Sequence, residues 1–346
     1  MKLSMPLMYA GNPRDAADQV SLLEKAGLDT VWVAEAYGFD SPTLMGYLAA
    51  KTETIEIGAA ILNIYSRTPG ALLQTAAGLD NVSGGRAIIG LGASGPQVIE
   101  GFHGVPYSKP LARTAEVIDL MRRGLKRDKL ESDGIFKLPL TKDDGAVTGL
   151  GKALKILTHP ERDVVPIYIA GLGPKSVEQA AEIADGWIPH LFHPEKAQLV
   201  WGESLKAGAA RRSSSLQPLE ITAGGMVAIG EGPETKALLD FARPIFALYV
   251  GGMGAKGKNF YNDVAAAYGY EEEARLIQDL YLDGKKKEAE ALIPTDWLEA
   301  ANLVGPASYV RERIEAFREA GVTNLSLSPA SDDPAGTIAQ VKSWVS

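Results

Sequence analysis

His103, His159, His190 and His193 are the only imidazoles in the chain, and cysteine is absent. No H-E-x-x-H or comparable ligand spacing occurs, so no metal site is expected. Without thiols, disulfides, thiol nucleophiles and thiolate metal sites are excluded. No Ser-His-Asp order or paired-carboxylate motif supports a hydrolase. Glu35 stands out because it follows the apolar run Thr30-Val31-Trp32-Val33-Ala34. A carboxylate there either bonds neighbouring loop backbone or, with a raised pKa, moves a proton. His190 closes another apolar run, and a loop-satisfied imidazole fits that place as well as a functional one.

Glycine-rich turns are the other chemical resource. Gly90-Leu91-Gly92-Ala93-Ser94-Gly95 and Gly252-Met253-Gly254-Ala255-Lys256-Gly257 both match G-x-G-x-x-G. A dinucleotide fingerprint also needs a strand before, a helix after and an acidic residue roughly 20 positions on. Pro96 and the lack of an immediate helical run argue against the first match, and the second lacks a strand and acid. Ile169-Ala170-Gly171-Leu172-Gly173-Pro174-Lys175-Ser176 differs. Here a strand opens straight onto a helix with proline at its first position. The free N–H groups of such a helix start, with its dipole, hold a phosphate, and glycines let it approach the backbone. A plain tight turn accounts for the same residues.

These residues need a scaffold, and the pattern around them is a repeating β/α unit. Strands are expected at Lys2–Tyr9, Thr30–Ala34, Ile55–Leu62 and Arg86–Gly92, with helices at Pro13–Ala26, Pro42–Lys51 and Pro69–Val82. Val165–Ala170, Gly186–His190 and Leu219–Ile229 add three strands, and Val322–Ser328 follows a helix that ends at Ala320. The strands show little polar alternation, as buried parallel strands should. Ala26-Gly27-Leu28 and Ala320-Gly321-Val322 repeat one phrase, a helix end capped by glycine before a strand. Eight strands in this order predict an α/β fold, a (β/α)8 TIM barrel, in a single domain spanning 1–346. A doubly wound open sheet is the alternative. The length requires insertions, placed at Gly95–Lys109 and Asp128–His159 after strand four and at Arg243–Asn302 after strand seven.

In such barrels the reacting groups lie at the C-terminal ends of strands. That selects Tyr9, Glu35-Ala36-Tyr37, Leu62-Asn63, Gly92–Gly95, Gly171–Pro174, His190–His193 and the segment Tyr249–Lys258. The 346 residues are 46% hydrophobic and 23% charged, with a net charge of −8. No basic footprint points to nucleic acid. No apolar run approaches the ~18 residues of a membrane span, and the first residues are interrupted by Pro6 too soon for a signal peptide. The absence of cysteine makes a cytoplasmic protein the expectation.

Taken in order, several segments resemble the luciferase-like monooxygenase superfamily, and within it the F420-dependent branch. They are Ala26–Trp32, Ile57–Leu62, Asp80-Asn81-Val82-Ser83-Gly84-Gly85-Arg86, Gly90–Val98, Ile167–Pro174 and Ala184-Asp185-Gly186-Trp187. Gly149-Leu150-Gly151-Lys152-Ala153-Leu154-Lys155 resembles an actinobacterial-type subgroup signature. The resemblance implies a cofactor across the top of the barrel, coenzyme F420, with FMN as the alternative. It implies a non-prolyl cis peptide at Ala60–Ile61 behind the deazaflavin ring and Gly92, Ala93, Ser94 and Gly95 along the ring's other side. It places a cofactor phosphate at Gly171, Leu172, Gly173 and Pro174, and His190 near the cofactor side chain. Lys175, Lys256 and Lys258 are candidate partners for the acidic tail.

Relatives carry a His directly after the acid at the end of strand two. Here Ala36 follows Glu35, so their sugar-phosphate dehydrogenase chemistry does not carry over. The activity implied is hydride transfer between the deazaflavin C5 and a small organic substrate, an alcohol/carbonyl pair or an activated alkene. An FMN-dependent monooxygenase and a non-catalytic flavin-binding protein are the rival readings. Family members are commonly homodimers, and this chain is expected to be one.

Overall fold

A computed structural model describes residues 1–7 and 11–345; Tyr9, named above, lies outside them. The described residues form twelve strands: β1 (Lys2–Leu7), β2 (Thr30–Val33), β3 (Glu56–Ala59), β4 (Leu62–Asn63), β5 (Ala87–Gly92), β6 (Ser132–Asp133), β7 (Lys137–Leu138), β8 (Ile167–Ala170), β9 (Gly186–Ile188), β10 (Glu220–Ile229), β11 (Leu303–Gly305) and β12 (Asn324–Pro329). The sheet runs β10-β12-β1-β2-β3-β5-β8-β9, and β9 pairs back onto β10. That ring of eight parallel strands is the expected TIM barrel. Leu3 pairs with Leu325, Ile57 with Ala87 and Ile89 with Ile167, all in parallel register.

The chain resolves into two compact units, one of Met1–Pro6, Ser21–Val31 and Ala170–Ser346, the other of Leu7–Val20 and Trp32–Ile169. β2 and β5 are buried along their whole length, which is why their sequences are continuous apolar runs. Helices open on Pro13, Pro69, Pro110, Pro174, Pro194 and Pro334, where the missing N–H and fixed φ of proline suit the first turn. Gly27 and Gly321 close the matched helices at φ +98° and +92°, as the repeated phrase requires.

Two family-like segments have structural explanations. Gly58 lies against the Trp32 indole; a Cβ there would stand 2.2 Å from the ring. In Asp80–Arg86, the buried Asp80 carboxylate receives Arg162, and Gly84 caps the helix at φ +67°. Arg86 donates to the carbonyl oxygens of Ala49, Thr52, Ile55 and Ser83. This joint stands at the N-terminal end of β5, on the face of the barrel that serves stability.

The structure differs from the sequence reading in four places. The expected strand Ile55–Leu62 is interrupted: β3 ends at Ala59, and the chain resumes pairing only at β4, where Leu62 meets Leu91. A helix, Pro96–Gly101, does follow Gly95 directly, because Pro96 starts that helix instead of preventing it. β11 pairs with β10 outside the ring and is too short to show a period. Inside Asp128–His159, β6 and β7 form a small antiparallel hairpin.

Candidate active site

In the second unit, Glu35 leaves the C-terminal end of β2 and meets Arg67 in a two-pronged ion pair, at 2.6 and 2.8 Å. One carboxylate oxygen also accepts the Ser41 backbone N–H at 2.9 Å. The Glu35 side chain is 10% exposed and that of Arg67 19%. The hydrogen bonds that Arg67 donates to Glu35 push the guanidinium pKa up. Arg67 is absent from the residues picked out by sequence. Its only signal is its place in the loop after β4, two residues before the helix at Pro69.

The peptide bond between Ala60 and Ile61 is cis, at the bond the resemblance indicated. Ala60 donates its N–H to Val33 at 2.8 Å, and Ile64 donates to Gly92 at 3.1 Å. Gly92 is needed for close approach, since a Cβ there would lie 2.7 Å from Ile61 Cδ1. Ser94 is exposed and left-handed at φ +55°, while a Cβ on Gly95 would meet nothing within 4 Å. So β3, β4 and β5 bring Ala60, Ile61 and Gly92 together and leave Ala93, Ser94 and Gly95 as an open loop.

In the first unit, Gly173 is the N-cap of the helix Pro174–Ile183 and supplies no side-chain cap. Pro174 has no N–H and Ser176 donates its own to Gly173 O at 2.9 Å, so the Lys175 N–H is the helix-start donor left to an anion. Gly171 admits Ser176, whose Oγ would stand 2.4 Å from a Cβ there. Ser176 Oγ donates to the Gly173 carbonyl at 3.0 Å. Two buried indoles fix the turn: Trp187 Nε1 donates to Gly171 O at 2.8 Å and Trp201 Nε1 to Leu172 O at 2.9 Å.

His190, just after β9, packs its ring 4.0 Å from Tyr249 and 5.9 Å from Tyr261. Burial lowers its pKa to about 4 and raises that of the Tyr261 phenol. The imidazole is therefore neutral at physiological pH, and its Nε2 is buried without a hydrogen-bond partner. A buried polar atom so placed is expected to meet a ligand or water. His193 differs in standing beside a charge: its Nδ1 is 3.2 Å from Glu195, although that atom too is buried without a hydrogen bond. Lys175 and Lys256 pair with Glu178 and Asp279 at 2.8 and 2.5 Å. Both lysines stay largely exposed, at 76% and 68%, and such surface pairs hold them only weakly.

The luciferase-like monooxygenase family model matches residues 2–324. The chain belongs to that family. A Mycobacterium tuberculosis protein whose name places it among coenzyme F420-dependent oxidoreductases is 40% identical over 337 residues, covering 96% of each chain. A 5,10-methylenetetrahydromethanopterin reductase of Archaeoglobus fulgidus is 26% identical, covering 88% of this chain and 86% of its own. Among solved structures, the coenzyme F420-dependent tetrahydromethanopterin reductase of Methanopyrus kandleri superposes with a TM-score of 0.80 at 22% identity, covering 98% of this chain and 96% of its own. That likeness establishes the luciferase-like fold. Among the described residues, no helix is long and apolar enough to cross a membrane.

Proposed function

We propose that this luciferase-like protein is a coenzyme F420-dependent oxidoreductase acting on a small organic substrate, either a carbonyl/alcohol pair or an activated alkene. The observation that carries the reading is the 40% identity, across 96% of both chains, to a protein named for that cofactor. Three local features fit the cofactor. Gly92 keeps the surface beside Ile61 free of a side chain. The helix start at Gly173 is uncapped. His190 Nε2 is a buried atom awaiting a partner.

On this reading Ala60, Ile61, Gly92, Ala93, Ser94 and Gly95 face the deazaflavin ring. Gly171, Leu172, Gly173 and Pro174 form the turn that takes a phosphate, through the backbone N–H groups of the first three, since proline has none, and His190 offers a neutral nitrogen to the cofactor side chain. When bound, F420 supplies a hydride acceptor or donor, so the protein needs no metal or thiol of its own. Glu35 acts as a positioning residue, since a carboxylate held by Arg67 and Ser41 orders the loop after β2. Direct proton transfer by Glu35 requires it to leave Arg67. Tyr47 and Val82, exposed on the helices at Ser41–Lys51 and Pro69–Ser83, are apolar side chains offered to a homodimer.

The test is a fluorescence titration of the purified protein with F420 and, separately, FMN. Low-micromolar F420 binding with much weaker FMN binding is expected. Tight FMN binding with none for F420 would overturn the assignment and favour an oxygen-using flavin enzyme.

A further inference from the structure

The loops after β2 and β5 carry three large aromatic side chains facing solvent: Tyr37 is 68% exposed, Phe39 71% and Phe102 64%. In the sheet, β2 and β5 stand on either side of β3. Both loops therefore rise from C-terminal strand ends that flank the Ala60–Ile61 bond, where barrels of this kind handle their substrates. Tyr37 and Phe102 meet across the two loops with ring centroids 6.3 Å apart, and His103 continues the row edge-on at 5.1 Å.

The wall that carries Phe102 is fixed in place. Tyr65 Oη donates to Ser108 O at 2.9 Å and its ring stacks on Tyr107 at 5.1 Å, while the Arg113 guanidinium covers the Tyr65 ring. Tyr107 Oη reaches the Ser94 carbonyl at only 3.4 Å. A bond that long is readily exchanged for a better acceptor. Glu35 and Arg67, on the loops after β2 and β4, neutralise one another. These loops thus offer a ligand aromatic surface and one weakly engaged hydroxyl, with a carboxylate and guanidinium already satisfied. Stacking faces with a weakly held hydroxyl on the same connection between β5 and the helix at Pro110 suit a flat apolar molecule bearing one oxygen.

We propose that the substrate is an uncharged, planar, largely apolar ketone, enone or corresponding alcohol that stacks on Tyr37 and Phe102 and accepts a hydrogen bond from Tyr107. The inference rests on the hydride-transfer reading above and names the substrate class of that site. The test uses the full chain, with unsubstituted naphthalene as a control and three probes followed by ligand-observed NMR titration. They are 2-acetylnaphthalene, 2-naphthoate (the same rings with a charge) and cyclohexyl methyl ketone (the same carbonyl without the rings).

2-Acetylnaphthalene is expected to bind tightest. The double variant Tyr37→Ser/Phe102→Ser, altered only at exposed positions, should raise its Kd at least about tenfold, or about 1.4 kcal/mol. Tyr107→Phe should weaken 2-acetylnaphthalene but leave unsubstituted naphthalene unchanged. Equal binding of all three probes, or a Kd indifferent to the double variant, overturns the proposal. So does a dimer that dissociates in sedimentation of the double variant, because the aromatic row is then a subunit contact. F420 titration of the same proteins separates the two readings. F420 binding without naphthyl-ketone binding overturns this proposal alone, and the converse overturns the cofactor assignment alone.

Discussion

Breaking the Glu35–Arg67 pair decides whether Glu35 orders the site or reacts in it. Glu35→Gln keeps the size and an acceptor for the Ser41 N–H but removes the charge facing Arg67. Stripping a buried charge of its partner costs about 3–5 kcal/mol. Both side chains here keep a little solvent contact, 10% and 19%, and the amide still accepts, so about 2 kcal/mol is expected. Unfolding entropy near 2.1 cal/mol/K per residue gives a 346-residue chain about 0.7 kcal/mol/K, so Tm falls by about 3 °C. Arg67→Met leaves the carboxylate unpaired and should cost a similar amount. The double variant should lose less than the sum, with a coupling of about 1.5–2 kcal/mol. The assay is thermal unfolding of all four proteins, with F420 affinity and turnover measured alongside. A positioning role predicts that both single variants depress turnover alike. Additive Tm losses would refute the pair itself. Loss of turnover in Glu35→Gln with Arg67→Met unaffected would refute positioning and make Glu35 a proton carrier.

Three further outcomes are expected. His190 binds a proton near pH 6.5 when unfolded but only near pH 4 when folded, so the unfolded chain gains protons first as pH falls. Its contribution is intact above pH 6.5, and about 2 kcal/mol is lost between pH 7 and 5; His190→Gln should remove that part of the slope in pH-dependent unfolding, and an unchanged slope would exclude a buried neutral imidazole. Gly171→Ala should overpack the phosphate turn against Ser176, costing about 1–3 kcal/mol and weakening F420 binding, with partial rescue by Ser176→Gly. Arg162→Met leaves the buried Asp80 carboxylate without its cation and should cost about 3–5 kcal/mol, yet leave F420 affinity per folded molecule unchanged because the joint stands at the other end of β5.

Local periodicity made most of the barrel legible. Buried runs such as Ala87–Gly92 and glycine stops such as Gly27 and Gly321 are short-range signals, and each places an element boundary within a few residues. The turn at Gly171–Pro174 was equally readable, because a strand end, two glycines and a helix-starting proline are contiguous. Arg67 was not, since its importance comes from a carboxylate 32 positions away across three elements. The same holds for the Tyr249–Tyr261–His190 cluster and for the indoles that fix the Gly171 and Leu172 carbonyls. No window of sequence shows which distant rings converge. Pro96 was misread because a proline that ends one helix and a proline that begins another look alike without the preceding backbone.

The pairing of β1 with β12 carries a consequence for how the protein is made. Lys2 lies beside Asn324, so the partner of the first strand leaves the ribosome 322 residues later (324 minus 2). At roughly 5–20 residues per second, that interval is on the order of 15–65 s. Throughout it, one edge of an apolar strand waits unpaired, a template for wrong partners. Slowing translation late in the message should therefore lower the yield of native enzyme, and a chaperone that shields nascent β1 should restore it.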